Sequence, residues 1–113
     1  YGSPVYWYTV SGRLKVFLDR WSCELYLKSN DYFCEKMKPK AGGIVTVQEE
    51  STYERAASCI EALEKTIKYA PGSTYLGYVL GPGGKRGTAL KHEPTLLAAR
   101  ELGRKAAAFR PAP

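Results

Sequence analysis

The stretch Gly43-Ile44-Val45-Thr46-Val47-Gln48 decides the fold, because it is short, β-branched and almost continuously apolar. A strand that is buried on both faces has this composition, as parallel strands in α/β proteins do. Shortly after it, Ser51-Thr52-Tyr53-Glu54 fits the S-x-x-E capping box that begins many helices. We therefore expect a buried parallel strand that leads through a short loop into a helix.

Strands and helices alternate on both sides of this unit. The helix after the capping box ends at Ala70-Pro71-Gly72, and a second strand (74–80), a glycine-rich loop (81–87) and a helix near Pro94 follow. Before the unit, an apolar stripe predicts one amphipathic helix from Arg13 to Leu27 with Ser11 as its N-cap. Residues 28–40 are interpreted as a connection. This order predicts an α/β fold, a doubly wound parallel sheet with helices on both faces.

Composition narrows the possible functions of these 113 residues, which form one domain at most. The net charge of +6 favours anionic partners, but the basic residues are spread along the chain, so we expect no nucleic-acid binding. No apolar run approaches the roughly 18–20 residues that span a bilayer, so we expect no membrane association. The three cysteines match no disulfide framework or metal site, which favours free thiols and a cytoplasmic location.

Three loops follow strand ends, and in open α/β sheets ligands bind at that edge. The first, 3–12, contains Tyr6, Trp7 and Tyr8, which could hold a flat aromatic ligand or could fill the core or an oligomer interface. In the second, 48–52, acidic residues suit a helix N-terminus. The third, 81–88, lacks a P-loop or dinucleotide motif, so we interpret it as a flexible connection with exposed basic residues. No catalytic side chain or metal site is predicted.

The first loop and the helix behind it resemble a known family. The sequence Ser3-Pro4-Val5-Tyr6-Trp7 followed by Ser11-Gly12-Arg13-Leu14-Lys15 is similar to the pattern S-P-x-Y-W-x-x-x-S-G-x-L-K of the flavodoxin-like NAD(P)H-dependent FMN reductases. The resemblance implies a flavodoxin-like three-layer α/β/α fold, FMN as cofactor and NAD(P)H as substrate. The cofactor-binding residues that it implies are Ser3, Pro4, Val5, Tyr6, Trp7, Tyr8, Ser11, Gln48 and Glu49.

The resemblance also implies an incomplete domain. Residues 1–113 correspond to the carboxyl-terminal part of the family's fold, and the first strands with the loop that binds the FMN phosphate have no counterpart. We expect a fragment of a longer oxidoreductase, or a degenerate copy of one. The oxidoreductase transfers a hydride from a nicotinamide nucleotide through FMN to a small acceptor, and it forms homodimers or higher homo-oligomers. Two alternatives stay open, namely a flavodoxin-type electron carrier and a part of such a domain without cofactor.

Overall fold

The computed structural model describes residues 1–112, in which one parallel sheet lies between helices. The strands are β1 (Gly2–Pro4), β2 (Ala41–Gln48) and β3 (Thr74–Pro82), and they pair in the order β1-β2-β3. The helices are α1 (Gly12–Asp19), α2 (Trp21–Leu27), α3 (Asn30–Met37), α4 (Tyr53–Ile67) and α5 (Glu93–Ala108), with a short 3-10 turn at Ala89–Lys91. The predicted α/β alternation with parallel strands is confirmed.

Helices cover both faces of β2, which confirms the doubly wound arrangement. On one face, Ile44 of the strand packs with Ile60 and Leu63 of α4, and all three side chains are fully buried. The two helices approach the sheet at adjacent glycines. A Cβ on Gly42 would lie 2.8 Å from Ile67 of α4. A Cβ on Gly43 would lie 3.1 Å from Leu102 of α5. The glycine pair therefore lets both helix layers pack closely against one strand.

The burial of β2 differs from the expectation on one face. Ile44 and Thr46 are buried beneath α4, whereas Val45, which points to the opposite face, remains 45% exposed. The prediction of a strand buried on both faces is therefore wrong for this residue. Composition could not reveal the exposure of Val45, because an apolar residue at a strand centre has the same sequence signal whether or not a helix covers that residue.

The amino-terminal helical region is more divided than the sequence predicts. The expected helix from Arg13 to Leu27 breaks at Arg20 into α1 and α2. The expected connection 28–40 contains α3, whose N-cap Ser29 accepts a hydrogen bond from the Tyr32 N–H at 3.0 Å. Phe33 stabilises this short helix, since it is buried with its ring 5.4 Å from that of Trp21. Packing between segments, rather than local periodicity, creates α3.

The predicted capping box is also wrong. Helix α4 begins at Tyr53 after the N-cap Thr52, and neither Ser51 nor Thr52 makes a side-chain cap hydrogen bond within the described residues. Ser51 instead adopts a left-handed backbone (φ 46°), and its N–H donates to the Gln48 carbonyl at 3.2 Å. The loop between β2 and α4 closes as a turn, which removes Ser51 from the capping position.

Candidate functional site

The carboxyl ends of the three strands open into one cleft of about 530 Å³. All three predicted loops contribute to it, which confirms that they share one edge of the sheet. Its walls are formed by Pro4, Val5, Tyr6, Val47, Gln48, Glu49 and residues 82–90. A smaller cleft of about 230 Å³ adjoins it and is lined by Val5, Trp7, Tyr8, Gln48, Glu49, Glu50 and Arg55.

The first loop reverses direction in a strained turn at its aromatic tip. The Tyr6 N–H donates to the Thr9 carbonyl at 3.0 Å, and the Thr9 N–H returns a bond to the Tyr6 carbonyl at 3.1 Å. Between them, Trp7 (φ 48°) and Tyr8 (φ 68°) both adopt left-handed backbone conformations. Turns of this kind prefer Asn and Gly, because a Cβ in the left-handed region costs about 1–2 kcal/mol per residue. Trp7 is 92% exposed, so burial of its ring does not offset this strain.

An arginine from α4 holds the strained turn. Arg55 Nη1 donates to the Tyr8 hydroxyl at 3.2 Å, and its Nε lies 3.1 Å from a Glu50 carboxylate oxygen. The hydrogen bond with Tyr8 and the nearby charge of Glu50 both raise the pKa of the Arg55 guanidinium. One side chain therefore connects the first loop, the second loop and helix α4.

Buried polar contacts fix the base of the first loop. Ser3 is buried; its Oγ accepts from the Ser11 N–H at 2.8 Å and donates to the Pro4 carbonyl at 2.8 Å. The Thr46 hydroxyl donates to the Ser3 carbonyl at 2.6 Å. Ser11 Oγ in turn accepts from the Leu14 N–H at 3.4 Å, which confirms Ser11 as the N-cap of α1. These contacts tie both ends of the loop to β2 and α1.

The second and third loops join through the backbone of Gln48. Its carbonyl accepts from the Gly83 N–H at 2.8 Å, and a Cβ on Gly83 would lie 3.2 Å from the Gln48 carbonyl carbon. A side chain at position 83 would therefore press on the Gln48 backbone. The side-chain oxygen Oε1 of Gln48 is buried and has no hydrogen-bond partner among residues 1–112. A buried acceptor without a donor costs about 1–3 kcal/mol, so a residue that lines the cleft carries an unmet hydrogen-bonding group.

The third loop is a formed wall of the cleft and not merely a connection. The Thr88 N–H and hydroxyl both donate to the Lys85 carbonyl, at 3.2 and 2.8 Å, and close a turn around Lys85 and Arg86. Gly84 (φ 93°) and Gly87 (φ 84°) supply the left-handed conformations that this path needs. The turn places two basic residues at the cleft.

Comparison with known proteins adds a curated relative and a solved structure. No model of a known protein family matches the chain. YwqN of Bacillus subtilis (strain 168), named as an NAD(P)H-dependent FMN-containing oxidoreductase, is 31% identical over 102 residues, which are 90% of this chain and 56% of the relative. The solved structure of a Trp repressor binding protein from Bacillus subtilis is 32% identical with a TM-score of 0.77, covering 88% of this chain and 64% of that one. That structure has a flavodoxin-like fold.

The chain is similar in sequence and in fold to these two proteins, which agrees with its resemblance to the flavodoxin-like NAD(P)H-dependent FMN reductases. It spans about half the length of the curated relative that it matches. The three strands thus form part of a flavodoxin-like sheet, and the helices cover its faces.

The reductase-family resemblance implied nine site residues, and the structure brings seven of them to the two clefts. The larger cleft contains Pro4, Val5, Tyr6, Gln48 and Glu49, and the smaller one adds Trp7 and Tyr8. Ser3 and Ser11 lie behind the loop and shape it through hydrogen bonds. Sequence reasoning missed Arg55, because its contact with Tyr8 joins residues 47 positions apart and leaves no local pattern.

The described residues contain neither a membrane-spanning helix nor a metal cluster. Within residues 1–112, no helix has the length and apolar character needed to cross a bilayer. Over the same part of the chain, no three His, Cys, Asp or Glu side chains come together as a metal site would require.

Proposed function

We propose that residues 1–113 belong to an FMN-binding domain, and that the protein is an FMN-dependent NAD(P)H oxidoreductase of the flavin or quinone reductase type. It would transfer a hydride from a nicotinamide nucleotide through bound FMN to a small acceptor. The observation that carries this proposal is the convergence of three loops on one cleft lined by Tyr6 and by Gln48, whose buried side-chain oxygen has no partner among residues 1–112. The name of the Bacillus subtilis relative supports it.

The residues at the cleft fit a flavin ring. Its volume of about 530 Å³ lies within the roughly 300–1,000 Å³ typical of ligand pockets. Tyr6 offers an aromatic surface, while Pro4 and Val5 offer a stiff backbone wall. The pyrimidine edge of the isoalloxazine carries an N–H donor, and the buried Gln48 Oε1 is an acceptor that lacks one. Binding would therefore satisfy a group that is unpartnered within the described chain.

The chain's own contribution would be position and electrostatics. FMN, when bound, supplies the hydride chemistry, so no side-chain acid or base is required for that transfer. The Ser3 hydrogen bonds fix the loop backbone that would contact the ring. Arg55 keeps Tyr8 and the exposed Trp7 at the mouth of the smaller cleft, where a second planar molecule could approach.

The proposal extends to partners and location. We propose a small-molecule electron acceptor, a homodimer or higher homo-oligomer, and a cytoplasmic protein. The exposed aromatic residues Tyr6, Trp7 and Tyr8 support an interface at the edge of the cleft, because aromatic side chains are enriched in protein contacts.

The test is flavin binding and reduction by the purified protein that contains this chain. Titration with FMN under exclusion of oxygen should give a saturable yellow complex, and added NADPH or NADH should bleach it. The variant Gln48→Leu removes the acceptor while it keeps the backbone bonds, so its FMN dissociation constant should rise about tenfold. The control Glu101→Gln changes an exposed residue of α5 outside both clefts and should bind FMN normally.

Each outcome separates the candidate functions. Saturable FMN binding with bleaching by a nicotinamide nucleotide supports the oxidoreductase. A yellow complex that neither NADPH nor NADH bleaches would instead indicate a flavodoxin-type electron carrier. A protein that takes up no FMN would refute both and favour a domain without cofactor.

A further inference from the structure

The third loop gives the larger cleft a cationic end. Lys85 and Arg86 both line the cleft, and neither lies within ion-pair distance of an acidic residue anywhere in residues 1–112. By contrast, Arg55 at the smaller cleft is already paired with Glu50. At this edge of the described structure, the two basic residues of the third loop therefore form no ion pair with an acidic side chain.

Acidic groups at the larger cleft do not balance this charge. Glu49 is its one acidic lining residue within the described chain, and it faces Gly84, where an added Cβ would lie 3.7 Å from the Glu49 Cγ. Two positive side chains thus share the cleft with one carboxylate. The excess positive charge favours an anionic group at this end.

The backbone that carries these cations is held in place. The Gly83 N–H is bonded to the Gln48 carbonyl at 2.8 Å, and the turn from Lys85 to Thr88 is closed by two hydrogen bonds to the Lys85 carbonyl. Only the side chains of Lys85 and Arg86 project freely from this fixed turn, and both are exposed. A fixed backbone reduces the entropy lost when such side chains close on a ligand.

We propose that Lys85 and Arg86 form a subsite for the phosphate groups of the nicotinamide nucleotide. This inference rests on the proposed function, which requires such a nucleotide. Guanidinium groups bind phosphate oxygens in a bidentate manner and ammonium groups bind them as point charges, so the pair suits a phosphate ester. The phosphate could be the 2′-phosphate of NADPH or the pyrophosphate shared by NADPH and NADH, and both supply the same chemistry.

The experiment compares the double variant Lys85→Gln/Arg86→Gln with wild type and with Lys91→Gln, which removes a nearby positive charge outside both clefts. Steady-state kinetics with NADPH and NADH should show a KM for NADPH about tenfold higher in the double variant and an unchanged kcat. The KM of wild type should rise with ionic strength more steeply than that of the double variant, because salt screens exposed charges. Lys91→Gln should behave as wild type.

Separate measurements distinguish the possible phosphates. An effect on NADPH alone identifies the 2′-phosphate, and an equal effect on NADPH and NADH identifies the pyrophosphate; either supports the subsite. A raised FMN dissociation constant with unchanged nucleotide KM would overturn the proposal, because the cations would then serve the flavin phosphate. Unchanged values for all three ligands would overturn it as well.

Calorimetric titration with NADP⁺ keeps this test independent of turnover. The double variant should bind NADP⁺ about tenfold more weakly than wild type even if the protein proves unable to reduce FMN. Loss of flavin reduction with retained, charge-dependent NADP⁺ binding would refute the oxidoreductase and support the subsite. Flavin reduction together with equal NADP⁺ affinity in wild type and the double variant would support the oxidoreductase and refute the subsite.

Discussion

The strained turn at the tip of the first loop leads to a quantitative prediction. Replacing Trp7 with Asn should stabilise the protein, because Asn tolerates the left-handed backbone far better than a bulky residue does. Trp7 has φ 48° and is 92% exposed, so the substitution relieves backbone strain and loses almost no buried surface. The left-handed conformation costs an ordinary residue about 1–2 kcal/mol. We therefore expect Trp7→Asn to increase the free energy of unfolding by about 1 kcal/mol.

The assay is urea denaturation of the flavin-free protein, followed by circular dichroism. The midpoint should rise without a change in m, since the surface exposed on unfolding stays the same. In thermal unfolding, 1 kcal/mol corresponds to an increase in Tm of about 4 °C for a domain of this size. Trp7→Ala is the matched control, because it removes the same ring but lacks the side-chain amide with which Asn can hydrogen-bond locally in the left-handed conformation.

The comparison of the two variants decides the origin of the effect. If strain is relieved, Asn is more stable than Ala at position 7 by most of the predicted amount. Equal stability of the two variants would refute the reasoning and show that the turn is not strained at Trp7. FMN titration gives a second measurement: both variants should bind flavin more weakly than wild type if the ring contributes to the site.

The remaining predictions concern burial and close packing. Tyr75→Phe should stabilise the protein by about 1 kcal/mol at neutral pH, because the Tyr75 hydroxyl is buried without a partner among residues 1–112. Burial raises the pKa of Tyr75 to about 12, so the protonated hydroxyl is favoured by folding. The stability that depends on this protonation is complete below pH 10 and is lost as the pH rises through about 12. In alkaline denaturation, the variant should lose less stability over this range than wild type, and equal losses would contradict the assignment. Gly83→Ala should cost about 1–3 kcal/mol and weaken FMN binding, because its Cβ would press on the Gln48 backbone. Gly12→Ala, where a Cβ meets open space, should change neither measurement. Leu63→Ala should cost about 2–5 kcal/mol in urea denaturation, since Leu63 is fully buried; a cost below 1 kcal/mol would argue against its place in the core.

Local patterns were sufficient for the main elements of the fold. The β-branched run around Ile44 identifies β2, and the apolar face of α4 identifies its buried side, since side chains on one face recur with the period of the element. The run does not show that Val45 stays exposed. Local patterns fail where a backbone turn, or the packing of one helix against another, decides the outcome. Helix α3 depends on the packing of Phe33 against Trp21, and Ser51 leaves the capping position because its N–H closes a turn on Gln48.

The sequence by itself determined the alternation of strands and helices, and hence the edge of the sheet at which the three loops meet. Only the tertiary structure decided what those loops do there. It turns Trp7 and Tyr8 into a strained tip held by Arg55, and it brings Lys85 and Arg86 to the cleft through a turn anchored on Gln48. The physical reason is range: periodicity and capping act over a few neighbouring residues, whereas these contacts join positions more than thirty residues apart.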